Sequence, residues 1–143
     1  MTGNLSTSGT GKLDITDIAC SISVTGNISN AGTIDATGST INIACGGNWN
    51  DTGGFNIGQS TVTMSGAAKT ITTPNNSDFY NLTITGTVTA QNSISIDNNL
   101  TINSGSLGLT GAYTHTIAGN IDNNATLSIG TSTVVLTGNL DNN

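Results

Sequence analysis

Ser21-Ile22-Ser23-Val24-Thr25-Gly26-Asn27-Ile28 and Thr133-Val134-Val135-Leu136-Thr137-Gly138-Asn139-Leu140 are one phrase written twice in a chain of 143 residues. Each copy alternates polar and branched apolar side chains, then turns at Thr-Gly-Asn and restarts on an apolar residue. Weaker copies lie between them: Thr40-Ile41-Asn42-Ile43-Ala44-Cys45, Thr61-Val62-Thr63-Met64-Ser65-Gly66, Asn81-Leu82-Thr83-Ile84-Thr85-Gly86 and Thr114-His115-Thr116-Ile117-Ala118-Gly119-Asn120-Ile121. The second apolar residue of each copy falls at 24, 43, 64, 84, 117 and 136, with gaps of 19, 21, 20, 33 and 19. A period near twenty marks a solenoid, in which each repeat buries its apolar face only against its neighbours. The gap of 33 is expected to hide one further, shorter coil containing Ile94–Ile102.

Within a period the pattern is three short alternating runs separated by Gly, Asn or Asp. Coil 26–45 gives Asn27-Ile28-Ser29, Thr33-Ile34-Asp35-Ala36 and Thr40-Ile41-Asn42-Ile43. Side chains of a strand alternate between faces, so Ile, Val and Leu point inward while Thr, Ser and Asn point outward. Three such runs per turn, each stacked on its equivalents, predict an all-β parallel β-helix of about seven coils with three short strands per coil. At ~4.8 Å per coil the rod is ~34 Å long. Right-handed winding is expected because parallel crossovers take that hand. The inner ladder is expected to hold Val24, Ile28, Ile41, Ile43, Val62, Met64, Leu82, Ile84, Ile117, Ile121, Leu136 and Leu140. Residues 1–143 read as a single domain. Thr72–Asp78 contains the one proline, Pro74, and no large apolar residue, and reads as a loop leaving one corner. Thr2-Gly3-Asn4-Leu5 and Thr137-Gly138-Asn139-Leu140 share the repeat phrase, which suggests a segment of a longer array or a subunit that stacks end to end.

Composition agrees. Glu and Arg are absent, the two lysines are Lys12 and Lys69, and charged residues are 7% of the chain, against about 25% in an average domain. The strong helix formers are scarce while Thr, Asn, Gly and β-branched residues dominate, which argues against helix. With a net charge of −6 and two cations, the chain cannot neutralise a phosphate track or an anionic membrane surface. No apolar run approaches the length of a membrane span.

Gly47-Asn48-Trp49-Asn50, Ser60-Thr61-Val62-Thr63-Met64-Ser65-Gly66 and Phe79-Tyr80-Asn81-Leu82-Thr83-Ile84 carry a family resemblance. The chain resembles the β-strand-repeat regions of large bacterial surface proteins and, more widely, filamentous-haemagglutinin and autotransporter passenger solenoids. The resemblance implies a secreted or cell-surface stalk, adhesin segment or filament, with no cofactor. It covers most of the chain as a repeat pattern.

Candidate chemistry is sparse. Catalysis on polysaccharides would need clustered carboxylates. Of the eight Asp, only Asp14 and Asp17 lie within three residues of each other, so no enzyme activity is expected. Asp97, Asp122 and Asp141 each open an Asp-Asn-Asn triplet. They are candidate calcium ligands, or residues suited to tight corners. Thr61, Thr63, Thr83, Thr85, Thr114 and Thr116 form Thr-x-Thr steps. On one flat face they would make a hydroxyl-and-methyl lattice able to order water, so ice binding is an alternative function. A polysaccharide-binding surface is a further one, with Trp49, Phe55, Phe79 and Tyr80 as a stacking platform or, on the repeat alignment, core residues. His115 stands where other copies have Val134, Ile22 or Ile41, and reads as a core imidazole. Cys20 and Cys45 are either two small buried hydrophobes or a disulfide between neighbouring coils.

Overall fold

Alternation at period two does build strands, and the T-G-N corners turn them into coils. The computed structural model describes residues 1–17, 19–38, 40–73 and 78–143. In chain order the strands are β1 (Leu5–Thr7), β2 (Lys12–Asp14), β3 (Ser21–Val24), β4 (Ile28–Asn30), β5 (Thr33–Asp35), β6 (Asn42–Cys45), β7 (Trp49–Asp51), β8 (Gly54–Asn56), β9 (Thr61–Met64) and β10 (Lys69–Thr72). They continue with β11 (Asn81–Ile84), β12 (Thr87–Ala90), β13 (Ser95–Ile96), β14 (Leu100–Ile102), β15 (Ser106–Leu109), β16 (Thr114–Ile117), β17 (Ile121–Asn123), β18 (Thr126–Ser128), β19 (Thr133–Leu136) and β20 (Leu140–Asn142).

Every pairing between them is parallel. The first face is the seven-stranded sheet β1-β4-β7-β10-β12-β15-β18, and the second is the seven-stranded sheet β3-β6-β9-β11-β14-β17-β20. The third face is split into β2-β5-β8 and β13-β16-β19. The chain is therefore an all-β parallel solenoid of about seven coils. Of the loop expected over Thr72–Asp78, residues 74–77 lie outside the described ones. Thr72 ends β10, and Asp78 and Phe79 lead into the fourth coil, Phe79 bridging Ile96.

On the second face the partners are Ser21–Asn42, Asn42–Thr61, Thr61–Asn81, Leu82–Leu100, Leu100–Ile121 and Ile121–Leu140, giving steps of 21, 19, 20, 18, 21 and 19 residues. The step of 18 is the shorter coil expected in the long gap. Ile84 pairs with Ile102, a single coil on, and that coil is the shortest of the face. The copies at Thr114–Ile117 and Thr133–Leu136 then lie on the third face, whereas those at 21, 42, 61 and 81 lie on the second. The expected shorter coil is therefore present, ending at Ile102, and the phrase then slips by one face, which completes the gap of 33.

The core is one continuous apolar column. Val24, Ile28, Ile41, Ile43, Val62, Met64, Leu82, Ile84, Ile117 and Ile121 are buried, as are Trp49, Ile71, Phe79, Leu100 and Ile102. Leu136 is half-buried, and Leu140, on the unpaired edge of β20, is 59% exposed. Trp49 pairs with Ile28 and Ile71 and touches Phe55 and Phe79, with ring centroids 5.2 and 5.5 Å apart. This burial corrects the stacking-platform alternative, because Trp49 and Phe79 present no ring face to solvent.

Asparagine ladders lock the corners. Asn4 Oδ1 accepts the Asn27 N–H at 2.8 Å, Asn27 Oδ1 accepts the Asn48 N–H at 2.8 Å, and Asn48 Oδ1 accepts the Thr70 N–H at 3.0 Å. A second ladder joins Asn99 to the Asn120 N–H at 2.9 Å and Asn120 to the Asn139 N–H at 2.9 Å. The first runs up the corner entering the first face and the second up the corner entering the second face. The preceding glycines permit the close approach. A Cβ on Gly26 would come within 2.6 Å of the Gly3 carbonyl oxygen, nearer than real Cβ contacts.

Candidate functional site

Thr61, Thr63 and Thr83 stand on the outer side of the second face, where Thr63 pairs with Thr83 and Thr83 with Thr101. That row is bounded by Ala44 on one side and Asp122 on the other. Thr85 sits past the end of β11, and its hydroxyl donates to the Met64 carbonyl at 3.4 Å. Thr114 and Thr116 belong to β16 on the third face. The six threonines are thus divided between two faces and a corner and do not form one flat lattice, because the slipped phrase carries the later pair onto another sheet.

Asp122 and Asp141 are register partners on the outer side of the second face, whereas Asp97 lies on the corner between β13 and β14. The triplets at 122–124 and 141–143 stack as amide pairs. Asn123 Nδ2 donates to Asn142 Oδ1 at 2.6 Å, and Asn143 Nδ2 donates to Asn124 Oδ1 at 3.0 Å. Asp122 accepts from Asn124 Nδ2 at 2.7 Å. The three aspartates do not converge, and among the described residues no three His, Cys, Asp or Glu side chains group as metal ligands.

Cys20 and Cys45 are both free thiols. Cys45 pairs with Val24 and Met64 in the core ladder, and burial pushes its thiol pKa up. Cys20 precedes Ser21, which pairs with Asn42, so the two cysteines lie at opposite ends of the face, about four residues apart along the strand direction. At ~3.3 Å per residue this is ~13 Å, beyond disulfide reach. The disulfide reading is corrected on that register.

The third face carries the clustered charges. Lys12 Nζ lies 3.0 Å from Asp14 and 2.9 Å from Asp35, which are themselves register partners. Hydroxyls of Thr16 and Thr37 donate to Asp14 and Asp35 at 2.6 and 2.7 Å. Thr37 first, then Lys12, holds Asp35 down to about 2. These groups satisfy one another in solvent, as a surface network does.

Sequence reading missed a set of buried polar side chains: Asn30, Asp51, Ser60, Thr73, Asp78 and Asn123. Several line the corner from the first face to the third. Thr7 donates to Asn30 Oδ1, Asn30 Nδ2 donates to Asp51 Oδ1 at 2.8 Å, and the Gly53 N–H donates to the same oxygen at 3.1 Å. Burial raises the Asp51 pKa. The signal was available: Asn30 and Asp51 sit two residues after the inward Ile28 and Trp49, so strict alternation points them inward. His115 is buried as expected and pairs with Val134.

No family model, curated protein or solved structure matches the chain.

Proposed function

We propose that this chain is a structural element of the bacterial cell exterior: a rigid spacer of a stalk or adhesin, or a unit of a filament. The observation that carries the reading is the axial continuity of the first two faces. Each runs through seven strands without a break, and side-chain amides bond from coil to coil along the same axis. Parallel ladders loaded along the stack share force among many backbone bonds, and each coil depends on its neighbours alone. The sequence resemblance and the low charge support an extracellular setting. Pulling single molecules between their termini tests the reading. Stepwise release of ~70 Å per twenty-residue coil is expected from the extended length of the chain. Collapse in one event at low force would contradict it. Electron micrographs separate the variants, fibres indicating a filament unit and discrete particles a stalk segment. Thermal hysteresis in the same preparation would move the assignment to ice binding.

A further inference from the structure

The third face restarts at β13, and the start of that strand is held by ionisable side chains on both sides. On one side the Ser95 N–H donates to Asp78 Oδ2 at 3.0 Å. On the other, where the regular ladder would offer the Thr114 carbonyl, the Ile94 N–H donates to Nδ1 of His115 at 3.3 Å. The Thr114 carbonyl is taken instead by the Ser93 hydroxyl. His115 is 0% exposed, and its Nε2 has no hydrogen-bond partner among the described residues. Because Nδ1 accepts, the hydrogen-bond pattern places the ring proton of the neutral form on Nε2.

We infer that the His115–Ile94 contact is an acid-sensitive clasp: protonation of the imidazole abolishes its acceptor, frees the Ile94 N–H and opens the joint between β13 and β16. An imidazolium would carry a proton on both nitrogens, aim one at the Ile94 N–H and leave the other buried without a partner. Among the described residues no carboxylate is bonded to the ring. The inward positions of the strands around it include Ile96, Leu107, Ile121, Asn123 and Val134, none ionisable. The ionisable groups of the surrounding elements are Asp78, engaged on Ser95; Asp97 and Tyr113, both exposed; and Asp122, on the outer side of β17. Burial lowers the His115 pKa below its ordinary 6.5. The sign follows from linkage. Above 6.5 the closed and opened forms are both neutral. As pH falls from 6.5 towards the lowered value only the opened form takes up a proton, so opening becomes tenfold more favourable per pH unit, then levels off.

Hydrogen exchange of the full chain, corrected for the intrinsic pH dependence of amide exchange, tests this. The wild type is expected to lose protection at Ile94–Ile96 and Thr114–Ile117 by about tenfold per unit below pH 6.5, with Thr83 and Thr89 unchanged. His115→Gln keeps an acceptor that does not titrate, and its profile should be flat over that range. If that variant does not fold, the imidazole of the wild type is titrated by NMR, with an apparent pKa below 6.5 expected. Identical profiles for wild type and His115→Gln, or titration at 6.5 or above, would overturn the inference.

Discussion

Replacing Asn27 by alanine isolates the corner ladder as a source of stability. Asn27 Oδ1 accepts the Asn48 N–H at 2.8 Å, and Asn48 is half-buried between coils. Alanine removes the acceptor and leaves that N–H without a partner where water reaches it poorly. An orphaned buried donor costs ~1–3 kcal/mol. Partial exposure places this site in the lower part of that range, ~1–2 kcal/mol. For a chain of this size 1 kcal/mol corresponds to about 3–4 °C in Tm, so a fall of ~3–8 °C is expected. Asn139→Ala is the internal control. Its backbone N–H donates to Asn120, and that bond survives the change, whereas among the described residues nothing bonds to its side chain. Asn139→Ala should stay within ~0.5 kcal/mol of wild type. Urea unfolding followed by far-UV circular dichroism gives both values, and exchange of the Asn48 amide locates the effect. Equal losses in the two variants would refute the reasoning, because the cost would then follow asparagine content and not the ladder.

Other consequences follow from the burial pattern. Trp49→Ala empties the centre of the aromatic cluster and should cost ~3–5 kcal/mol, read from the urea midpoint. Asp51 has a folded pKa above its ordinary 3.8, so its ionisation works against the fold as pH rises through the window above 3.8. Asp51→Asn should remove that decline, leaving stability flatter between pH 4 and 7 by thermal melts. Asp35, held at about 2, contributes stability that is present above 3.8 and lost as pH falls towards 2. Lys12→Met should move its titration upward in NMR. A thiol reagent should modify Cys20 in the native protein and reach Cys45 only after unfolding, since Cys45 is buried and Cys20 half-exposed.

The coil period and the inward set were readable because apolar alternation and glycine-asparagine corners are dictated by stacking. Ile43, Val62 and Leu82 recur at that period and fall over one another as the pattern requires. Which face each run occupies was not readable, for a physical reason. All three faces are built from the same polar-apolar strand, and the T-G-N corner serves equally before the first face, as at Asn27, and before the second, as at Asn139. A shift of the phrase from one corner to another leaves the local chemistry unchanged and lengthens one gap. That slip also divided the Thr-x-Thr steps between two faces. The buried polar set escaped for a different reason. Asn30 and Asp51 look outward by residue type, while alternation directs them inward, where each finds a partner supplied from the next coil or nearby backbone.

The central claim is that runs about twenty residues apart lie one above another at a constant rise. Pulsed electron-electron resonance between spin labels on the outer row of the second face measures this directly. The label sites are Ser23, Thr63, Thr101 and Asp141, in a Cys20→Ser background. From Ser23 these positions lie two, four and six coils along the register. The stack predicts backbone separations of ~10, ~19 and ~29 Å, rising linearly at ~4.8 Å per coil. Separations that fail to grow with coil number, as in a two-layer sandwich, would contradict it.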